Sequence, residues 1–540
     1  MEKIQGQIVD IISKEIFPGE ITIDGGIIKK IEKLDAAPQQ YIIPGFVDAH
    51  VHVESSMLVP SEFARLAVCH GTVATVSDPH EIGNVLGKKG VKFMIDNGRK
   101  TPFKFYFGAP SCVPATQFET AGAEITLKDI EEIFGWHNVT YLAEMMNFPG
   151  VLFKDPDVMA KIELAHRLGK KVDGHAPGLR GEDAKNYISA GITTDHECFT
   201  KAEALDKLKY GMKIIIREGS AAKNFESLWE LIDEYPDQIM LCSDDKHPND
   251  LAVNHINDLA KRAIAKGCDL FNVLRAASKT TIEHYNMSVG FLQANDPADF
   301  CIVENLKDFK VISTFIDGKM VAEKGVTKIK SVDCEILNNF NCVPIDASQI
   351  QMKDEGKKVK VIAVQDGQLI TTKEIAKLPV KDGQLQSDVS QDVLKIVVVN
   401  RYFEAPPAVS FISNVGLKEG AIASCVAHDS HNIIAVGTND EDICNAINLI
   451  INDEGGVSLA CKERLEIVAL PIAGIMSPLD GYKVAQQYED IDRGAKELGS
   501  TLASPYMTLS FCALLVIPEL KLSDKGLFDG TTFQFTSGYE

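Results

Sequence analysis

Residues 44–52 read Pro44-Gly45-Phe46-Val47-Asp48-Ala49-His50-Val51-His52, an apolar run that ends in two histidines one residue apart. Successive side chains of a strand alternate faces, so His50 and His52 point the same way and can grip one metal ion. A strand-like run over 41–47 leads into the pair. A helix-like segment follows from Pro60 to His70, with proline in its first turn and Gly71 at its end. Spacing alone carries little weight, because thirteen histidines in 540 residues bring some pairs together by chance. The pair becomes a site only if further ligands arrive from elsewhere in the chain.

From residue 41 to about residue 270, short β-branched or aromatic runs alternate with polar loops and amphipathic stretches, the pattern of βα units around a parallel sheet. Eight strands are predicted, ending near His52, Ser77, Gly108, Glu144, His175, His196, Glu218 and Asp244. Eight such units close a (β/α)8 TIM-type barrel, whose active site forms where the C-terminal ends of the strands converge. Those ends carry His50, His52, Glu144, His175, His196 and Asp244, six metal-capable side chains at five strand termini. Six exceed the needs of one tetrahedral ion, so two divalent ions are expected: one held by His50, His52 and Asp244, the other by His175 and His196, with Glu144 bridging. Such a pair activates water near neutral pH, and Asp244 is placed to carry the proton. Glu54, Asp78, Glu81 and Glu197 lie at or just beyond these strand ends and are candidates for acid–base work or for orienting the ligands. His70, His137, His166, His247, His255 and His284 read as surface or helix residues.

The chain is too long for one core, and about three domains are expected. Residues 44–292 form the barrel. Residues 1–43 and 293–329 carry short strands with turns at Phe17-Pro18-Gly19-Glu20, Asp24-Gly25-Gly26 and Asp317-Gly318-Lys319, and together predict a small β-sandwich built from the two flanking segments. From residue 330 to 540 the period changes to hairpins at Asp366-Gly367 and Asp382-Gly383, a continuous Ile396-Val-Val-Val run, and helices over 440–452 and 481–498, an additional C-terminal α/β domain. Within it, His428-Asp-Ser-His431-Asn432 joins two strand-like runs. It is either a tight structural loop or an active-site closure that brings His428 and His431 over the barrel mouth.

Fifty-five basic against seventy-six acidic residues give a net charge of -21, which argues against nucleic acid as a partner. With no run of about 18 apolar residues and no basic leader before an apolar core, neither a membrane span nor a secretory signal is predicted, and the cytoplasm is the expected location. Twelve scattered cysteines without a Cys-x-x-Cys pair suit reduced, mostly buried thiols.

His52-Val-Glu-Ser-Ser-Met57, Ser77-Asp-Pro-His-Glu-Ile82, Phe107-Gly-Ala-Pro-Ser-Cys-Val-Pro114, Ala143-Glu-Met-Met-Asn147, Gly174-His-Ala-Pro-Gly178, Asp195-His-Glu197, Ser243-Asp-Asp245 and His428-Asp-Ser-His-Asn432 span nearly the whole chain. With these phrases the sequence resembles the amidohydrolase superfamily and, within it, the bacterial adenine deaminases. The resemblance implies hydrolytic deamination of the free base adenine at C6, giving hypoxanthine and ammonia in purine salvage. It also implies Mn2+ first, or Fe2+, in the two-ion site, where the donor set permits Zn2+ as well; a homo-oligomer, a dimer, is expected. Many superfamily members bridge their metals with a carboxylated lysine, where this chain offers Glu144. Purine and cytosine deaminases of the superfamily commonly place a ring-nitrogen acid three residues after the fifth-strand histidine, where this chain has Gly178. Glu81, Glu197 and Glu54, with Asp78 behind them, are the candidates for that role. Another binuclear amidohydrolase acting on a cyclic amide or a related purine, and a catalytically silent barrel, remain the alternatives.

Overall fold

A computed structural model describes residues 2–540. Eight short parallel strands form the expected ring: Phe46–Val51, Thr72–Ser77, Lys104–Ala109, Val139–Met145, Lys171–Gly174, Thr194–Asp195, Lys213–Arg217 and Ile239–Cys242. The first five are hydrogen-bonded in order, as are the last three. Thr193 N–H donates to Val172 O at 2.9 Å across the gap between the fifth and sixth strands. Val51 bridges to Asp244, and Asp244 N–H donates to His50 O at 2.9 Å, which joins the eighth strand to the first. Phe46–Val51 and Thr72–Ser77 are buried along their whole length, as strands covered on both faces by helices must be. The first covering helix is Pro60–Ala67. It continues as a 3-10 turn to His70 and stops at Gly71, whose φ of 84° requires a residue without a Cβ penalty.

The two flanking segments join in a single eight-stranded sheet. Tyr41–Pro44 pairs in parallel with Glu2–Asp10 on one side and antiparallel with Phe300–Val303 on the other, so residues more than 250 apart in sequence share one ladder. Ile8, Ile21, Ile42, Phe300 and Phe315 fill its core. The turn expected at Phe17-Pro18-Gly19-Glu20 is not there: those residues lie inside the strand Glu15–Asp24, and the chain reverses at 11–14. Pro18 is tolerated because its partner Gln7 sends its N–H to Gln40 O at 2.9 Å, away from the proline. The other glycine turns stand as expected; at Asp317-Gly318 and Asp382-Gly383 both residues have positive φ, as tight hairpins demand.

A second, mostly antiparallel eight-stranded sheet follows, in the order Thr371–Ala376, Val359–Val364, Ala408–Ser413, Val393–Val399, Ile433–Gly437, Ala421–Ser424, Gly456–Cys461, Arg464–Ala469. Helices Asp440–Asn452 and Gly481–Glu497 lie where the periodicity put them. This sheet does not stand apart from the barrel. Ile396, Ile422, Ile434, Ile472 and Met476 belong to the same continuous apolar core as Val47, Leu58, Phe63 and Val76. Arg65 donates to Asp480 at 2.7 Å, and Gly481 N–H donates to Glu62 at 2.9 Å. All twelve cysteines are free. Among the described residues, no helix is long and apolar enough to cross a membrane.

Candidate active site

The strand ends converge. His50 and His52, two residues apart on the first strand, place their Nε2 atoms 3.2 Å from each other. Asp244 Oδ1 lies 3.7 Å from the first nitrogen and 3.3 Å from the second. Glu144, from the fourth strand, has Oε1 3.3 Å from His52 Nε2 and Oε2 2.7 Å from His175 Nδ1 and 3.2 Å from His196 Nε2. One carboxylate therefore touches histidines of the first, fifth and sixth strands. All six predicted side chains are buried and within reach of one another. Buried imidazole nitrogens aimed at each other with carboxylate oxygens between them form a donor set for a divalent cation of the Zn, Mn or Fe kind.

The grouping differs in detail from the one expected. His196 stacks on His50, ring centroids 4.1 Å apart, and clusters with His50 and Asp244 as well as with Glu144 and His175. His52 faces Asp78, His80 and Glu144. Asp244 adopts a left-handed φ of 52°, an uncommon conformation that a short polar residue tolerates and that is often found at functional sites.

Arg217, which ends the seventh strand, fixes two of these carboxylates. It forms a two-pronged ion pair with Glu197, with Nη2 to Oε2 at 2.9 Å, and its Nη1 reaches Asp244 Oδ2 at 2.7 Å. Burial alone would push Asp244 up, but Arg217 and the neighbouring histidines hold it well below the usual carboxylate range. Behind the fifth- and sixth-strand loops, buried Lys207 donates to Asp195 and Ala176 O at 2.7 Å and to Glu203 at 2.9 Å, tying the loops that follow His175 and His196 together.

A second polar group faces these residues across the same cavity. Glu81 is clasped by His428 Nδ1 through one carboxylate oxygen and by His431 Nε2 through the other, although both histidines lie more than 340 residues away in sequence. His80 Nε2 is 3.3 Å from Glu81, and His80 Nδ1 is 3.1 Å from Asp78. Burial opposes ionisation of Glu81, yet His428, His80 and His431 together hold its pKa well below the usual value. Burial likewise opposes a charge on His428, but Glu81 and Asp245 raise it to about 9. Leu369, Phe511 and Leu514 complete the wall on this side. His428 and Asp429 of the loop 428–432 line this cavity, and His431 reaches it through Glu81.

The remaining candidates divide. Glu197 lines the cavity, but both its oxygens are given to Arg217. Glu54 lies behind Glu81, accepts from Ile82 N–H at 3.2 Å, and is pushed by burial to a pKa of about 7. Asp78 accepts from His80 N–H at 3.1 Å and orients that ring. Two histidines read as surface or helix residues are neither exposed nor inside a helix. His255 is fully buried, bonded to Thr72 at 2.7 Å and paired with Asp48 at 2.9 Å, and His247 packs under Tyr488. Each caps a helix N-terminus while its ring turns inward, a burial that no polar or apolar period reveals.

The sequence reading gives no role to Arg217 or Asp429, nor to the apolar wall of Met146, Leu369, Phe511 and Leu514, and names His80 only within its phrase. His80 and Asp429 stood inside phrases already singled out. Arg217 ends a predicted barrel strand, and that position was the available signal.

The family comparisons agree with this construction. Residues 41–321 match the model of the amidohydrolase family, and residues 368–534 match that of the adenine deaminase C-terminal domain. A protein of Sulfurovum sp. named adenine deaminase is 56% identical over 534 residues, covering 99% of each chain. Proteins of the same name from Methanosarcina mazei and Borreliella burgdorferi are 51% and 49% identical, each again covering 99% of both chains. With both modules present and half of its residues shared along the full length, this chain belongs to the adenine deaminase family of the amidohydrolases.

Proposed function

We propose that this chain hydrolyses adenine to hypoxanthine and ammonia. The observation that carries the reading is a single cavity with a cation donor set on one side and a buried, histidine-clasped glutamate on the other. Full-length relatives bearing the name of that activity support it. His50, His52, Glu144, His175, His196 and Asp244 would hold two divalent ions, Mn2+ first; Glu144 lies within 3.3 Å of His52, His175 and His196. When bound, such ions supply the polarisation that makes water a nucleophile near neutral pH.

The chain's own residues then manage protons. Asp244, kept ionised and aimed by Arg217, accepts a proton from the attacking water at Oδ1 and returns it to the departing amine. Ring nitrogen N1, next to the attacked carbon, must gain a proton as the ring loses aromaticity. Of the four candidates only Glu81 faces the cavity without a guanidinium on its oxygens, so we assign the delivery to Glu81, whose ionised carboxylate takes a proton from His80 at 3.3 Å or from His428 and passes it to N1. Asp78 and Glu54 act behind them, Asp78 by orienting His80. Leu369, Phe511 and Leu514 exclude bulk water from the covered mouth. Twelve unpaired thiols suit a reducing cytoplasm, the setting in which purine salvage would run.

The test is purified protein from Mn2+-supplemented growth mixed with adenine. Loss of the adenine ultraviolet band with equimolar ammonia is expected. Protein with metal bound that gives neither, but opens a cyclic amide such as a hydantoin, would move the assignment to that other branch of the amidohydrolases.

A further inference from the structure

Among the buried polar atoms of cavity-lining residues that have no hydrogen-bond partner, two belong to the covering loop and lie outside the metal donor set: Nε2 of His428, whose nearest carboxylate oxygen is Asp245 Oδ1 at 3.8 Å, and Oδ2 of Asp429. Both residues are about 2% exposed, and they are adjacent in the loop that covers the barrel mouth. A buried carboxylate oxygen or imidazole nitrogen left unpaired costs free energy, so such atoms in a closed cavity await a ligand that completes them. They are complementary in kind. His428 gives Nδ1 to Glu81, and its raised proton affinity leaves Nε2 as a donor. Asp429 offers an acceptor.

In a purine, N3 stands directly across the six-membered ring from C6. N3 and N9 of the free base present one acceptor and one N–H side by side. With C6 at the metal-ligand wall, the edge that reaches the opposite wall is therefore N3 and N9. Resting on the adenine reading above, we propose that His428 and Asp429 read this edge, His428 Nε2–H donating to N3 and Asp429 Oδ2 accepting from N9–H. The C-terminal domain then recognises the base while the barrel carries the chemistry. The same contact selects the free base, because a nucleoside has no N9–H and brings a sugar against a buried carboxylate.

The test uses two ligands that are not deaminated, purine and 9-methylpurine, measured as competitive inhibitors of the full metal-loaded enzyme and its variants. The unaltered chain should prefer purine. Asp429→Asn should weaken purine by about ten- to hundredfold, the loss expected for a hydrogen bond to a charged group, while 9-methylpurine changes little and the preference collapses. For adenine the loss should fall mainly on KM rather than kcat, because the contact is made equally in ground and transition states. Asp429→Ser removes the same carboxylate and should repeat the collapse, which guards against one variant failing to fold. Equal affinity of the unaltered chain for the two purines would overturn the proposal without any variant, as would equal weakening of both ligands by the substitutions. Adenine turnover by the unaltered chain tests the parent reading separately, so the two can fail independently.

Discussion

On the barrel side, His52, Glu144, His175, His196, Arg217 and Asp244 line the cavity, His50 clusters with His196 and Asp244, and each of the seven stands within two residues of the end of a parallel strand. On the opposite side, His428 and Asp429 line the cavity from a loop between the antiparallel strands Ala421–Ser424 and Ile433–Gly437, a loop that also carries His431. The barrel wall takes its geometry from the sheet, since hydrogen-bonded neighbours fix where every strand ends. The loop wall takes its geometry from specific partners: Tyr402 Oη donates to Ser430 O, Asn432 Nδ2 donates to Thr120 O at 2.9 Å, and Arg401 N–H donates to Asn432 at 3.1 Å. The difference separates a scaffold that many chemistries can share from a cover that selects one substrate.

The largest effect should come from the barrel wall. Glu144→Ala removes the carboxylate that contacts His52, His175 and His196, so turnover should fall to background and bound metal should drop, while circular dichroism stays native because barrel stability rests on the packed strand layers. Retained turnover in that variant would break the contrast at its root.

A smaller loss belongs to the junction of the two walls. Glu81→Gln keeps the shape but cannot shuttle a proton, so kcat should fall by about 10² to 10⁴ with metal content unchanged, as expected for loss of a positioned acid–base group. A normal kcat with a raised KM would make Glu81 a binding residue and return the ring-nitrogen role to another side chain.

The smallest effect is on stability. His428 has an ordinary value of 6.5, and Glu81 and Asp245 raise it to about 9 against the cost of burial. A proton held more tightly in the folded than in the unfolded state stabilises fully below pH 6.5, and that stabilisation fades as pH rises through about 9. The stability lost in His428→Ala, read from denaturant unfolding, should therefore be largest below the first value and fall above the second to the part owed to its packing on Phe511. A difference independent of pH would show that His428 contributes packing against Phe511 rather than charge.

Much of this architecture is legible in the sequence. The alternation of β-branched runs with amphipathic stretches marks the strands, and the metal-capable residues themselves help to mark where five of them end, because period and burial are local consequences of backbone geometry. Gly71 and the Asp317-Gly318 and Asp382-Gly383 turns were legible for the same reason, since a positive φ is written into the residue type. Pro18 misled because a proline reads as a turn wherever its partner strand is unknown, and the diverted N–H of Gln7 is a tertiary fact. His255 misled because its ring turns inward to Asp48, which depends on where the eighth strand meets the first.

The sequence by itself therefore determined the barrel, the flanking strands, the helices and the set of groups able to hold metal. Only the tertiary structure decided that Glu81 meets His428 and His431, that Arg217 aims Asp244, and that Asp429 faces the metal wall with an oxygen unpaired. The reason is physical. A strand or a turn is set by forces between residues a few positions apart, whereas a contact across more than 340 residues exists only when two separately patterned layers share one apolar core and bring their loops to the same mouth.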